Sequence, residues 1–388
     1  MLRTSPLGLP RPAYMVEEML LFEEAVDRFI DQECVGHIEH WAKAGEVPRE
    51  TWRKAGQAGL LMASAPEAYG GSGGNILHDI IVTDRLARAG GHELMISVVN
   101  MVFGPYVCSL ATEAQKSAWI PKLASGEWLG AIAMSEPGTG SDLQAIRTTA
   151  RRDGGDYVID GQKIFTTLGH FADILMVACK TPSDDGNRAI SLFFVPVGEV
   201  SGVRKGRKLD KIGLPAAGTA EIFFEDVRVP ADCLLGGEEG LGFRQMMTNL
   251  AEERMVVAIE SMAMIERALA ETIDYVKTRM AFGKAIIDFQ NTAFVLAEMK
   301  TQATAARVFV DYCVGRLLDR TLDGATAAIA KLQLSELQGK IIDQCLQLFG
   351  GYGYINEYPI ARMYRDARVS RIYGGTSEIM KLIISRTL

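Results

Sequence analysis

The chain has 388 residues, 48% of them hydrophobic and 23% charged, which is the composition of a globular enzyme too long for one core, so two or three domains are expected. A formal net charge of -7, without any cluster of Lys and Arg, excludes a nucleic-acid surface, because phosphate must be neutralised by cations in excess. No run of about 18 apolar residues occurs, so no membrane insertion is predicted. Six separated cysteines (Cys34, Cys108, Cys179, Cys233, Cys313, Cys345), with no CxxC pair and no His at ligand spacing, exclude a zinc site and a disulfide framework; no metal is expected, and the location is read as cytoplasmic.

In chain order, residues 1–15 carry three Pro and short apolar runs and are read as a flexible arm. Residues 16–127 repeat apolar side chains at three- and four-residue spacing, as in Met19-Leu20-Leu21-Phe22 followed by Val26, Phe29 and Ile30, which predicts an N-terminal helical bundle. Within it a helix is expected near residues 93–112, kinked or ended by Gly104-Pro105. Residues 128–235 turn to β-branched and aromatic runs, Tyr157-Val158-Ile159, Ile174–Val177, Ile190–Val195 and Glu221–Phe224, which predict a middle β-barrel or sandwich. Residues 236–388 return to helical periodicity around 243–280, 291–318, 325–349 and 376–387, a C-terminal four-helix bundle. The fold class is therefore α+β and multidomain.

The segment Ala133-Met134-Ser135-Glu136-Pro137-Gly138-Thr139-Gly140-Ser141-Asp142 resembles the middle-domain signature of the acyl-CoA dehydrogenases. Alone, a Gly-rich turn of this kind is more often structural. Five further motifs follow in the family's order: Gly161–Thr167; Phe224–Pro230; Arg279 with Phe282-Gly283-Lys284 and Gln290; Gln347–Gly353 with Tyr364–Ala367; and Gly374–Ile379. The resemblance runs from residue 16 to 388 and is closest to the long-chain branch, with the isovaleryl branch similar at the catalytic helix.

That resemblance implies FAD as cofactor and an acyl-CoA as substrate, oxidised to the trans-2-enoyl-CoA. It also implies an electron-transferring flavoprotein as partner, a homotetramer, and a place in fatty acid β-oxidation. By position, Ala133, Met134, Ser135, Gly140, Ser141, Phe165, Thr166 and Thr167 match flavin contacts. Arg279, Phe282, Gln290, Gln347, Gly350 and Gly351 match those offered by a neighbouring subunit, and Thr376 and Glu378 those at the start of the last helix. Ser141, Arg254, Gly374 and Gly375 match substrate contacts. Leu168 stands where the family has Asn, and Pro215-Ala216-Ala217-Gly218 replaces a more polar stretch near CoA.

The family's usual catalytic Glu is replaced by Gly374, which keeps only a backbone N–H for the oxyanion. In the long-chain and isovaleryl branches the base comes from the first long C-terminal helix, where Glu253-Arg254 stands. On a wheel of about 100° per residue with Phe243 at zero, Met246, Met247, Leu250 and Val257 form an apolar stripe. Glu253 falls at about 280°, on its margin, where burial raises a carboxyl pKa and suits a base; Glu252 falls at about 180°, among Arg244, Gln245, Thr248 and Asn249, and is expected to be solvated. A structural pairing of Glu253 with Arg254 is the competing reading. At the level of function, a flavin oxidase or monooxygenase on the same fold and a non-catalytic partner subunit are the alternatives.

Overall fold

The computed structural model describes residues 5–182 and 188–388. Helices α1 (Glu17–Glu33), α2 (Ile38–Ala44), α3 (Arg49–Gln57), α4 (Ile76–Ala89), α5 (Gly104–Leu110) and α6 (Glu113–Ala124) build the first layer. Sequence chemistry sets several of their ends. Asn75 accepts from the Leu77 N–H at the start of α4, Thr112 and Gln115 form a reciprocal capping box on α6, and Gly90 closes α4 at φ 80°.

The helix does not end at Gly104-Pro105. Val98–Phe103 forms a π-helix that leads into α5, with Phe103 and Gly104 both in right-handed helical geometry. A wider π-helical turn thus precedes the proline, which has no N–H to donate. Space at Gly104 is tight, since a Cβ would lie 2.9 Å from the Met62 sulfur and 3.0 Å from the Val99 carbonyl.

The middle layer is a seven-stranded curled sheet of β1 (Gly130–Ala133), β2 (Thr149–Asp153), β3 (Asp156–Thr166), β4 (Ile174–Pro182), β5 (Arg188–Pro196), β6 (Val203–Lys208) and β7 (Ala220–Pro230). The order is β1-β4-β2-β3-β7-β6, with β5 on the other edge of β4. One edge of β4 is shared: Ile174–Val177 pair with β1, and Lys180 with Thr149 of β2. The expected apolar runs fall in β3, β4, β5 and β7. Strand β6, Val-Arg-Lys-Gly-Arg-Lys, carries too little apolar alternation to be read from sequence. Phe103 and Trp119 of the first layer close on Phe194 of β5, with ring centroids 5.4 and 4.6 Å away, and weld sheet to helices.

The C-terminal layer comprises α7 (Gly242–Thr278), a short hairpin β8 (Met280–Ala281) and β9 (Lys284–Ala285), α8 (Gln290–Leu318), α9 (Gly324–Phe349), α10 (Pro359–Ala367) and α11 (Ser377–Ser385). Helix α10 escaped the sequence reading because it is one short amphipathic segment between turns. Helix α7 packs on α4, α8 and α9 and is buried on all sides from Arg254 to Ile259. Among the described residues, no helix is long and apolar enough to cross a membrane.

The arm is corrected over residues 5–15; its first four residues lie outside the described ones. Leu7 is buried, Arg11 pairs with Glu23 at 2.8 Å, and the Tyr14 hydroxyl donates to Asp311 at 2.9 Å. Three weak contacts of this kind fix the segment to α1 and α8 rather than leaving it loose.

Candidate active site

Three groups of residues assemble around the sheet and α7. The first is the loop after β1. The Glu136 carboxylate is buried beneath it and accepts from the Lys163 ammonium at 2.8 Å and from the Arg147 and Thr148 N–H groups at 2.6 and 2.9 Å. Burial pushes Glu136 up, but Lys163 and those N–H groups outweigh it and hold it below its usual range. Lys163 also donates to the Met134 carbonyl at 3.0 Å, and Ile164 N–H donates to Ser135 carbonyl at 2.9 Å. Met134 and Ser135 are thereby fixed, with Ala133 buried behind them and Gly140 and Ser141 exposed.

At the end of β3, Phe165 takes φ 59°, which turns its ring outward to 66% exposure. Thr166 beside it is buried, with its hydroxyl lacking any partner, and Thr167 is half-buried. A bare aromatic face, an orphaned hydroxyl and two glycines, Gly138 and Gly140, whose Cβ positions meet open space, fit a flat ring carrying a phosphate chain. Pro215-Ala216-Ala217-Gly218 is a buttress for this loop rather than an exposed surface: Leu168 and His170 N–H groups donate to the Ala217 and Gly218 carbonyls at 2.9 and 3.0 Å.

The second group lies at the end of the helical bundle. Arg279 is exposed and sits 5.4 Å over the Tyr352 ring, Phe282 is almost wholly exposed, and Gln290, Gln347, Gly350 and Gly351 are exposed with it. Among the described residues, no hydrogen bond or ion pair joins this group to the first loop. Phe282 takes φ 50°, which leaves its ring bare at the surface.

The third group holds Glu253. The carboxylate is half-buried and accepts from the Tyr106 hydroxyl at 2.8 Å. Burial pushes its pKa up to about 7, against Tyr106 and Arg254, which favour the charged form. Arg254 forms no ion pair with it; the guanidinium donates to the Gly324 carbonyl at 3.3 Å and leaves its buried Nε without a partner. One turn beyond Glu253 stands Val257, and a Cβ on Gly374 would lie 3.4 Å from its Cγ2, so Gly374 rides on the same face of α7 as Glu253. Gly374 and Gly375 take φ 63° and 93°, which glycine alone adopts freely. Lys331, fully buried in α9, donates to the Gly375 carbonyl at 2.6 Å and anchors the turn. Thr376 caps α11 by accepting from the Ile379 N–H, and Glu378 is exposed in its first turn.

The wheel is corrected in part. Gln245 and Asn249 are buried, whereas Met247 and Phe243 are substantially exposed. Glu252 is half-buried and faces Arg320 in a cavity of about 600 Å³ that Gly104 and Pro105 also line. A single stripe describes a surface helix, and α7 is an interior one touched from several sides. Tyr106, Lys331 and the Glu136–Lys163 pair escaped the sequence reading. Lys331 alone carried a signal, a lone cation among Ala327, Ala328, Ala330 and Leu334.

The family models for the N-terminal, middle and C-terminal domains of acyl-CoA dehydrogenase match residues 16–127, 131–227 and 240–388. The chain belongs to the acyl-CoA dehydrogenase family. It is 45% identical over 370 residues to the long-chain specific acyl-CoA dehydrogenase, mitochondrial, of Sus scrofa, covering 95% of this chain and 86% of that one. An acyl-CoA dehydrogenase structure from Geobacillus kaustophilus superposes with a TM-score of 0.94 at 42% identity, over 97% of this chain and 99% of the other. A glutaryl-CoA dehydrogenase from Mycobacterium smegmatis, solved with FADH2, gives 0.87 at 27% identity over 96% and 94%. As a member of this acyl-CoA dehydrogenase family, the chain is an oxidoreductase acting on a CH–CH bond, with FAD as its cofactor.

Proposed function

We propose that this acyl-CoA dehydrogenase oxidises a long-chain or branched acyl-CoA to the trans-2-enoyl-CoA, with Glu253 taking the α-proton. The observation that carries the assignment is the Glu253 carboxyl itself: half-buried, held by Tyr106 at 2.8 Å, raised to about 7, and set across Val257 from the Gly374 turn. A carboxylate poised near neutral pH can accept a weakly acidic proton and release it again. The Gly374 N–H is the donor to the thioester oxygen, where negative charge develops as that proton leaves. Lys331 keeps the turn in place.

Met134, Ser135, Phe165, Thr166 and Thr167 would hold the FAD ring, and Ser141 its phosphates. When bound, FAD supplies the hydride acceptor. Arg279, Phe282, Gln290, Gln347, Gly350 and Gly351 serve a neighbouring copy's cofactor in a homotetramer, a role that suits their bare, outward placement. Electrons pass on to an electron-transferring flavoprotein; a relative 35% identical over 97% of this chain is named as a subunit of a caffeyl-CoA reductase-Etf complex. Six free cysteines suit a reducing compartment such as the cytoplasm, and the reaction fits fatty acid oxidation.

Glu253→Gln tests the reading. The FAD-loaded variant should bind acyl-CoA but bleach its flavin about 10²- to 10⁴-fold more slowly under anaerobic conditions. Reduction at the wild-type rate would remove Glu253 from the mechanism, and rapid oxygen consumption by wild type would mark an oxidase instead.

A further inference from the structure

Two carboxylates of α7 are each held by a hydroxyl from the segment that packs across them. Tyr106 donates to Glu253 at 2.8 Å, and Ser97 donates to Glu260 at 2.6 Å. Seven positions separate the two acids, so they share one face of α7, about 20° short of two full turns. Nine positions separate the two hydroxyl residues, which in an uninterrupted α-helix would put them about 180° apart, on opposite faces. The π-helix Val98–Phe103 lies between them, and its wider turns advance the angle less per residue. That re-phasing turns both hydroxyls toward α7.

Between the two acids lie Val257 and, riding on it, Gly374. At the far end the Tyr373 hydroxyl reaches Glu260 at 3.4 Å. Tyr373 and Gly374 are accessible and both acids are half-buried, while Val257 between the acids is buried. Burial raises the Glu260 carboxyl, against Ser97, His92 and Tyr373. His92, close enough to act on Glu260, has no hydrogen-bond partner for either ring nitrogen and stands 3.5 Å from Asp366 Oδ2. The far end thus holds more hydrogen-bonding capacity than the protein consumes. Ser97 and Tyr373 pair with Glu260 in any case, but an unadorned alkyl tail laid there would leave the spare acceptor capacity of these oxygens dry, which is costly.

We propose that Glu260, Ser97 and Tyr373 form a specificity site for an uncharged oxygen, a hydroxyl or a carbonyl, carried on the acyl chain roughly 10 Å beyond the α-carbon, the rise of two turns of α7. The proposal rests on Glu253 marking the α-carbon end of the strip. An ionised carboxylate on the chain is disfavoured, since it would face the Glu260 carboxyl. Sites built to hydrogen-bond a substrate oxygen discriminate strongly against analogues that lack it, because their own polar groups are then left unpaired.

The test compares straight-chain acyl-CoAs with hydroxy and keto counterparts of equal length, substituted at successive positions, by kcat/KM in anaerobic flavin bleaching. Wild type should favour one oxygenated position by about tenfold or more. Glu260→Leu should reverse that preference and Glu260→Gln weaken it, with Ser97→Ala and Tyr373→Phe intermediate. The same ranking should appear in binding to FAD-loaded Glu253→Gln, read by calorimetry without turnover. A wild-type preference for plain chains at every position, or an equal loss on both series in the Glu260 variants, would overturn the proposal. Loss of turnover in Glu253→Gln with no oxygen preference would sink the specificity site and leave the base intact. Undiminished turnover in Glu253→Gln would sink the base instead.

Discussion

Tyr106→Phe isolates the tuning of the base from the base itself. The substitution deletes one oxygen from a fully buried ring, leaves the packing in place, and strips Glu253 of its 2.8 Å donor. The carboxyl now lies at about 7, with burial raising it and the Tyr106 hydrogen bond lowering it. A hydrogen bond to a charged group is worth about 1.5 to 3 kcal/mol, and one pKa unit is about 1.4 kcal/mol, so its loss should raise Glu253 by about one to two units. At pH 7 the ionised fraction would fall from about one half to about 1–10%, slowing flavin reduction by about 5- to 50-fold. The deficit should shrink as pH rises through the new pKa. Stopped-flow bleaching from pH 6 to 10 reads this as a displaced acid limb with a similar plateau. An acid limb in its wild-type place, or one displaced to lower pH, would refute the account of how Glu253 is tuned.

Two further outcomes follow from the same geometry. Arg279→Ala should give protein that is colourless or loosely assembled, as read by the flavin-to-protein absorbance ratio and by sedimentation; full FAD content in an intact assembly would remove Arg279 from cofactor binding. Because Glu253 titrates at about 7 when folded and at 4.5 ordinarily, the folded chain holds a proton between those values that the unfolded chain has released. Its stabilising effect is complete below pH 4.5 and is lost as pH rises through 7, up to about 3 kcal/mol in all, so Tm of Glu253→Gln should decline less from pH 5 to 8 than that of wild type.

The layering of helices, sheet and helices was legible because it is written in periodicity: runs such as Ile190–Val195 and the long repeats of α7, α8 and α9 allow one reading. The order of short motifs, from Ala133 to Glu378, pointed to the chemistry for a different reason, since each fixes a turn that only certain residues can make. The side of α7 on which each polar residue falls was not legible. Gln245 and Asn249 are buried because α7 is packed on several faces, which no single wheel expresses. Nor could Tyr106 be placed: it reaches Glu253 only because a π-helix precedes Gly104-Pro105, and a wheel at a fixed angle per residue cannot anticipate a change of pitch. The long-range contact of Lys331 with Gly375 depends on how α9 meets the last turn, which is a property of packing alone.

The base and the oxyanion donor are held by different elements, and this separation has a measurable consequence. Tyr106, on α5, fixes Glu253; Lys331, on α9, fixes the carbonyl of Gly375 and through it the Gly374 turn. Burial depresses Lys331 to about 8, so near neutral pH it still carries the charge that this carbonyl bond uses. Lys331→Met keeps the length and loses the donor, which should free the turn and cost about tenfold in the flavin-reduction rate with little change in KM, since the donor acts as charge develops. The two anchors share no partner. The Tyr106→Phe and Lys331→Met losses should therefore multiply in the double variant, within about twofold, at a pH where each single loss is measurable. The thioester carbonyl stretch of a bound acyl-CoA, read by infrared difference, should shift back toward its free value in Lys331→Met and stay displaced in Tyr106→Phe. A double variant no slower than the worse single one would mean that both residues act on one shared feature, and the division between α5 and α9 would have to be abandoned.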